Sequence, residues 1–143
     1  MYSVYLLEIQ RELNYLLNKR LKEFGIGRYD IQVMRIINAQ DGVNQSTICS
    51  ILKEDKITVS KAVKKLSEAG YVDKRKDSDD KRVTNIYMTS EGARVRAKIL
   101  EVIEETNREL IQNLDENEKK ELEKLLIKVS NGAKKISSRL ENE

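Results

Sequence analysis

Residues 43–92 read VNQSTICSILKEDKITVSKAVKKLSEAGYVDKRKDSDDKRVTNIYMTSEG, and the order of signals within them decides the fold. Asn44 suits an N-cap, because its side-chain oxygen can accept from an unpaired amide of a first helical turn. The spacing predicts a helix from Gln45 to about Leu52, a polar turn at Lys53, Glu54 and Asp55, and a second helix from Ile57 to Ala69. Gly70 ends that helix, since glycine most readily takes the left-handed conformation after a helix C-terminus. Val59, Ala62, Val63, Leu66 and Ala69 recur at three- and four-residue steps and are expected to point inward. Ser60, Lys61, Lys64 and Glu68 fall on the opposite face, with Thr58 and Lys65 on the flanks. Two strand candidates follow, Tyr71–Lys76 and Val83–Met88, the second alternating Ile86 and Met88 with Asn85 and Tyr87. Asp77–Arg82, which lacks any apolar residue, forms the loop between them and projects into water.

Two short helices joined by a turn, then a hairpin with a charged tip, describe a winged helix. Between Lys56 and Ser67 stand four lysines and no acid, as suits a helix lying between phosphate walls. A solvated lysine face would look the same in isolation; the hairpin tip supplies the second signal. Arg82 there can enter a narrow minor groove, and Asp80 can hold its guanidinium by a charge-assisted hydrogen bond.

Asp80-Lys81-Arg82, then Ile86, Met88-Thr89 and Gly92, resemble the wing signature of the MarR family of bacterial transcriptional regulators, an Asp-x-Arg ahead of a hydrophobic-Thr-x-x-Gly. Thr58 through Leu66 to Gly70-Tyr71-Val72 is similar to the family's recognition helix and its exit. Met88 stands where the family usually has leucine. The helix also offers lysines where many members carry arginine, and lysine lacks the planar fork that best reads guanine. The resemblance implies a dimeric, sequence-specific DNA-binding regulator, a repressor loosened from its promoter by a small, often phenolic or anionic, ligand. Its DNA contacts would be Thr58, Ser60, Lys61, Lys64, Lys65, Asp80 and Arg82. The effector would bind between the dimerisation helices and the winged helix, with Tyr29 and Met34 as nearby candidates. The alternative is a winged-helix protein-interaction module that does not bind DNA.

The rest of the chain agrees with a mainly α architecture. The 143 residues contain no proline, no tryptophan and one phenylalanine, a composition of long uninterrupted helices. Residues 1–42, 43–90 and 91–143 carry net charges of +1, +3 and −1, so the basic excess lies in the winged-helix stretch. They are expected to be, in order, N-terminal dimerisation and support helices, the DNA-binding core, and C-terminal dimerisation helices. The first segment repeats Leu6, Ile9, Leu13, Leu16, Leu17, Leu21 and Phe24, with Gly25 and Gly27 ending its helix. Ile31, Val33, Met34, Ile36 and Ile37 then form a short apolar helix under the winged helix. Thr89 caps a long helix carrying Ala93, Ala97, Leu100, Ile103 and Leu110. Asp115, with Glu118 three residues on, opens a last helix that repeats Leu122, Leu125, Leu126, Val129, Ala133, Ile136 and Leu140. Near-heptads of this length need a partner surface, expected to be the N-terminal helix and its copy in a homodimer.

Catalytic chemistry has little to work with here. The chain has no histidine and a single cysteine, which excludes the commonest general base, an internal disulfide and a thiolate zinc site. Cys49, beside Ile48 and near Ile51 and Leu52, is expected to be a small buried hydrophobe. No enzyme activity and no cofactor are expected. No apolar run approaches a membrane span and charges occur early in MYSVYLLEIQRELN, so the expected location is the cytoplasm.

Overall fold

The computed structural model describes residues 1–143 and falls into two compact units, Met1–Glu104 and Glu105–Glu143. The elements run α1 (Tyr2–Arg20), α2 (Arg28–Asn38), β1 (Val43–Asn44), α3 (Gln45–Leu52), α4 (Lys56–Glu68), β2 (Val72–Lys76), β3 (Thr84–Met88), α5 (Ser90–Leu110) and α6 (Glu116–Glu141). The helix-turn-helix is α3 and α4, and the hairpin is β2 and β3. A short strand that the sequence does not announce, β1, completes an antiparallel sheet of order β1-β3-β2. Val43 lies opposite Ile86 on one side of β3, and Lys74 lies opposite Ile86 on the other.

Side-chain caps set the helix starts. Asn44 accepts from the Thr47 amide at 2.8 Å, as expected, and Asp55 does the same for the Thr58 amide at 2.7 Å. Asp55 therefore starts α4 at Lys56, one residue before the start expected from the apolar pattern. Between these helices Lys53 takes a left-handed φ of 54°, which closes α3 and turns the chain. Asp115 and Glu118 form the expected reciprocal box at the start of α6. Gly27 does not end α1; it precedes α2 in extended backbone, its amide donating to Asp30 at 2.8 Å, while a 3-10 turn at Lys22–Phe24 and Gly25 close the first helix.

The core lies where α2 packs on α4 and β3, and α3 on α4. Val33, Met34, Ile37, Ile48, Val59, Val63, Leu66, Val72 and Ile86 are buried there. One inward assignment fails. Ala69 is exposed because the helix has already ended at Glu68 and the chain is turning into Gly70. On α5 the buried positions are Gly92, Val95, Ile99 and Thr106, whereas Ala93, Ala97 and Leu100 are exposed. Val95 and Ile99 have more area to remove from water than the small alanines and take the inner side. In α1 nothing is buried: Leu13, Leu16 and Leu17 are half-buried, and Leu6 and Ile9 are exposed.

The join between hairpin and α5 explains the Met88-Thr89-x-x-Gly92 pattern. Thr89 Oγ1 donates to the Gly70 carbonyl at 2.6 Å and accepts from the Gly92 amide at 3.0 Å, so one hydroxyl ties the exit of α4 to the start of α5. A Cβ at residue 92 would collide with the Tyr71 carbonyl and the Met88 sulfur. Glycine is required there by space, not by backbone angle. The Tyr71 hydroxyl then reaches back to donate to the Phe24 carbonyl at 2.9 Å.

Candidate nucleic-acid interface

Burial of Val59, Ala62, Val63 and Leu66 fixes the rotation of α4, and so turns Ser60, Lys61 and Lys64 to solvent. Thr58 is half-buried on the flank, with its amide and hydroxyl bearing on the Asp55 carboxylate and holding that acid below its ordinary range. Lys64 is paired only loosely, 3.9 Å from Glu68 with both side chains well exposed. The face is thus an exposed cationic surface on a helix whose rotation is fixed by its buried side.

Lys65 behaves differently. Its ammonium lies 3.0 Å from Oδ2 of Asp30, a buried carboxylate whose same oxygen accepts from the Gly27 amide. This pair joins α4 to the first turn of α2. Sequence periodicity placed Lys65 on the flank but gave no sign of its partner, which is far away along the chain. Asp30 is retained in the interior by two donors, the condition under which a buried carboxylate is tolerated.

The wing tip is organised by two aspartates. Asp77 accepts from the Asp79 and Asp80 amides at 2.8 and 3.0 Å and from the Asn85 side chain at 3.0 Å. Those donors, the Asp80 amide first, hold its carboxyl below the usual carboxylate range. Asp80 in turn accepts from Arg82 three times, from the amide at 3.0 Å, from Nε at 3.1 Å and from Nη2 at 3.2 Å. The Arg82 side chain and amide lower the Asp80 pKa as well. The arginine is nevertheless 92% exposed, so its charge is oriented without being covered. Behind the tip, Arg75 stacks over the Tyr87 ring at 4.6 Å. The ring itself lies against Gly42, where a Cβ would come within 2.8 Å of it.

Apart from this surface, Met1–Glu104 contains a cavity of about 480 Å³. Its lining includes Leu17, Ile31, Met34 and Ile99, together with three arginines, Arg28, Arg35 and Arg96. Met34 is therefore a cavity residue and Tyr29 is not. Tyr29 turns its hydroxyl to a buried position without a hydrogen-bond partner, and burial, with Glu54 and Cys49 nearby, raises its pKa. Cys49 packs against the core as expected but is half-buried, not fully buried. No group of histidine, cysteine or acidic side chains is arranged to hold a metal ion.

Comparison with known proteins follows the same geometry. The sequence pattern of the family described as "Winged helix DNA-binding domain" matches residues 26–92. A solved MarR protein from Peptoclostridium difficile is 30% identical, superposes with a TM-score of 0.80, and is matched over 92% of this chain and 86% of its own. The chain belongs to the MarR family. It is a winged-helix DNA-binding transcriptional regulator of the MarR type. A curated relative, the HTH-type transcriptional regulator BilQ of Clostridium symbiosum, is 23% identical over 128 residues, 90% of this chain and 89% of the relative. The MarR fold recurs in the Staphylococcus aureus MepR–DNA complex, at 23% identity and a TM-score of 0.77, covering 92% of this chain and 98% of that one. No helix of the chain is long and apolar enough to cross a membrane.

Proposed function

We propose that this chain is a cytoplasmic, ligand-responsive repressor that acts as a homodimer on a pseudo-palindromic operator. Residues 43–90 hold the duplex, and the helices of 1–42 and 91–143 pair the two copies. Thr58, Ser60, Lys61 and Lys64 occupy the major groove, Lys65 steadies the helix through Asp30, and Asp80 aims Arg82 into the flanking minor groove. One observation carries the reading: an almost fully exposed arginine is oriented by a fork-to-fork pair with its neighbour. A merely solvated turn has no need of an aimed guanidinium, because exposed pairs contribute about 1 kcal/mol or less to stability. The MepR complex, which holds DNA on the same fold, supports a duplex partner.

The cavity supports the ligand half of the proposal. Three arginines over an apolar lining fit a small anionic aromatic molecule, whose ring is buried while its charge is paired. Such a ligand can release the operator only if it binds the free dimer more tightly than the bound one.

The test selects bound sequences from a random duplex library and then measures affinity, at one fixed salt concentration, for the selected operator and for one with G·C pairs at its flanks. Wild type, Arg82→Ala, Arg82→Lys and Asp80→Ala are compared. Arg82→Ala should weaken binding and lose the preference for A·T flanks, Arg82→Lys should recover part of it, and Asp80→Ala should give a milder loss. Four indistinguishable affinities would remove the wing from the mechanism.

A further inference from the structure

On the outward face of α4 one residue has the wrong chemistry for water. Ile57, Ser60, Lys61 and Lys64 follow each other at steps of three, four and seven from residue 57, so they share that face. Ile57 is 69% exposed. It does not join the inward line of Val59, Ala62, Val63 and Leu66. Its position is nonetheless fixed, because Asp55 caps the turn through the Thr58 amide and the Gln45 side chain donates to the Lys56 carbonyl at 3.4 Å. The side chain is β-branched and so has few rotamers to lose on contact.

A helix in this position presents its first turn to the base edges. Among the groups on those edges in the major groove, the C5-methyl of thymine is the apolar one. We propose that Ile57 reads a thymine in each half-site by covering its C5-methyl group, making it a specificity-determining residue alongside the lysines. This rests on the duplex-binding reading above and adds to it a base identity that lysines cannot supply. Lys61 and Lys64 attract phosphates of any sequence, whereas Ile57 distinguishes one base pair from the others.

The experiment replaces each thymine of the selected operator, one at a time, by deoxyuridine, which removes the methyl group and leaves the pairing intact. Wild-type protein should lose about fourfold in affinity at one thymine per half-site, the effect of burying a single methyl group. In Ile57→Ala that penalty should vanish, with the salt dependence of binding unchanged; Lys64→Ala should keep the penalty and show a shallower salt dependence. No deoxyuridine effect at any position, or an equal one in Ile57→Ala, overturns the assignment while leaving duplex binding in place. A change in sedimentation of Ile57→Ala without a change in the thymine penalty would assign the residue to a contact between copies and also overturn it. Failure of the wild type to bind any duplex would remove both readings together.

Discussion

Helices α4 and α6 are written with the same kind of apolar repeat and end in opposite environments. In α4, 13 residues long, Val59, Val63 and Leu66 are fully buried. In α6, 26 residues long, Leu125, Leu126, Val129, Ile136 and Leu140 are all between 46% and 59% exposed. A stripe at helical spacing thus does not say whether the same chain covers it. For α4 the cover is α2, α3 and the sheet. For α6 the proposed cover is a second copy.

The strongest way to break this contrast is to truncate one residue from each stripe. Leu66→Ala should cost about 2–5 kcal/mol of stability, read as a lowered urea midpoint, because the lost contacts are internal. Leu126→Ala in dilute protein should stay within about 0.5 kcal/mol of wild type, as for other exposed positions. Similar losses at both sites would show that the two helices are not different in kind.

A double change of Leu126 and Val129 to glutamate addresses the cover itself. Sedimentation at micromolar concentration should give a dimer for wild type and a folded monomer for the variant, since charge at a closed seam would be buried without partners. An unchanged dimer, or a wild-type monomer, would exclude α6 from the seam.

The smallest effect concerns pH and separates the wing from the core behind α4. Asp77 and Asp80 have native pKa values lowered by their donors, so their contribution is present above the ordinary carboxylate value of about 3.9 and is lost as pH falls through the lowered native values. NMR amide shifts of Asp79, Asp80 and Arg82 should therefore hold steady from neutral pH to about 5 and move together below about 4, with Leu66 unaffected until the whole chain unfolds. Coincident transitions at Arg82 and Leu66 at the acid end would mean that the tip has no separate electrostatic organisation.

What the sequence displays is mostly what is local. Asn44, Thr89 and Asp115 cap helices within three residues of themselves, and Asp80 grips Arg82 two residues on, so each could be read from spacing alone. The inward face of α4 was equally legible, apart from Ala69, since a continuous helix makes periodicity and burial one statement. The Lys65–Asp30 pair, the Tyr71 hydroxyl on the Phe24 carbonyl, and Val43 opposite Ile86 join residues far apart in sequence, where spacing carries no signal. On α5 spacing leaves the inner side open, because alanine is compatible with either side of a helix, and packing chose the side with Val95 and Ile99.

Asn44 also has a bearing on how the chain can change length. The residue pairs with Asn85 in the sheet, and its side chain caps α3 through the Thr47 amide and hydroxyl. Strand and helix meet in it with no slack between them. An insertion among the exposed residues Ala39–Asp41 would only enlarge a loop. The same insertion between Asn44 and Gln45 would have to rotate α3 by about 100° about its axis, or slip β1 by one position and turn Val43 out of the core. Neither is compatible with holding α4 and the wing in one register on a duplex, so insertions should be admitted at Ala39–Asp41 and refused between Asn44 and Gln45.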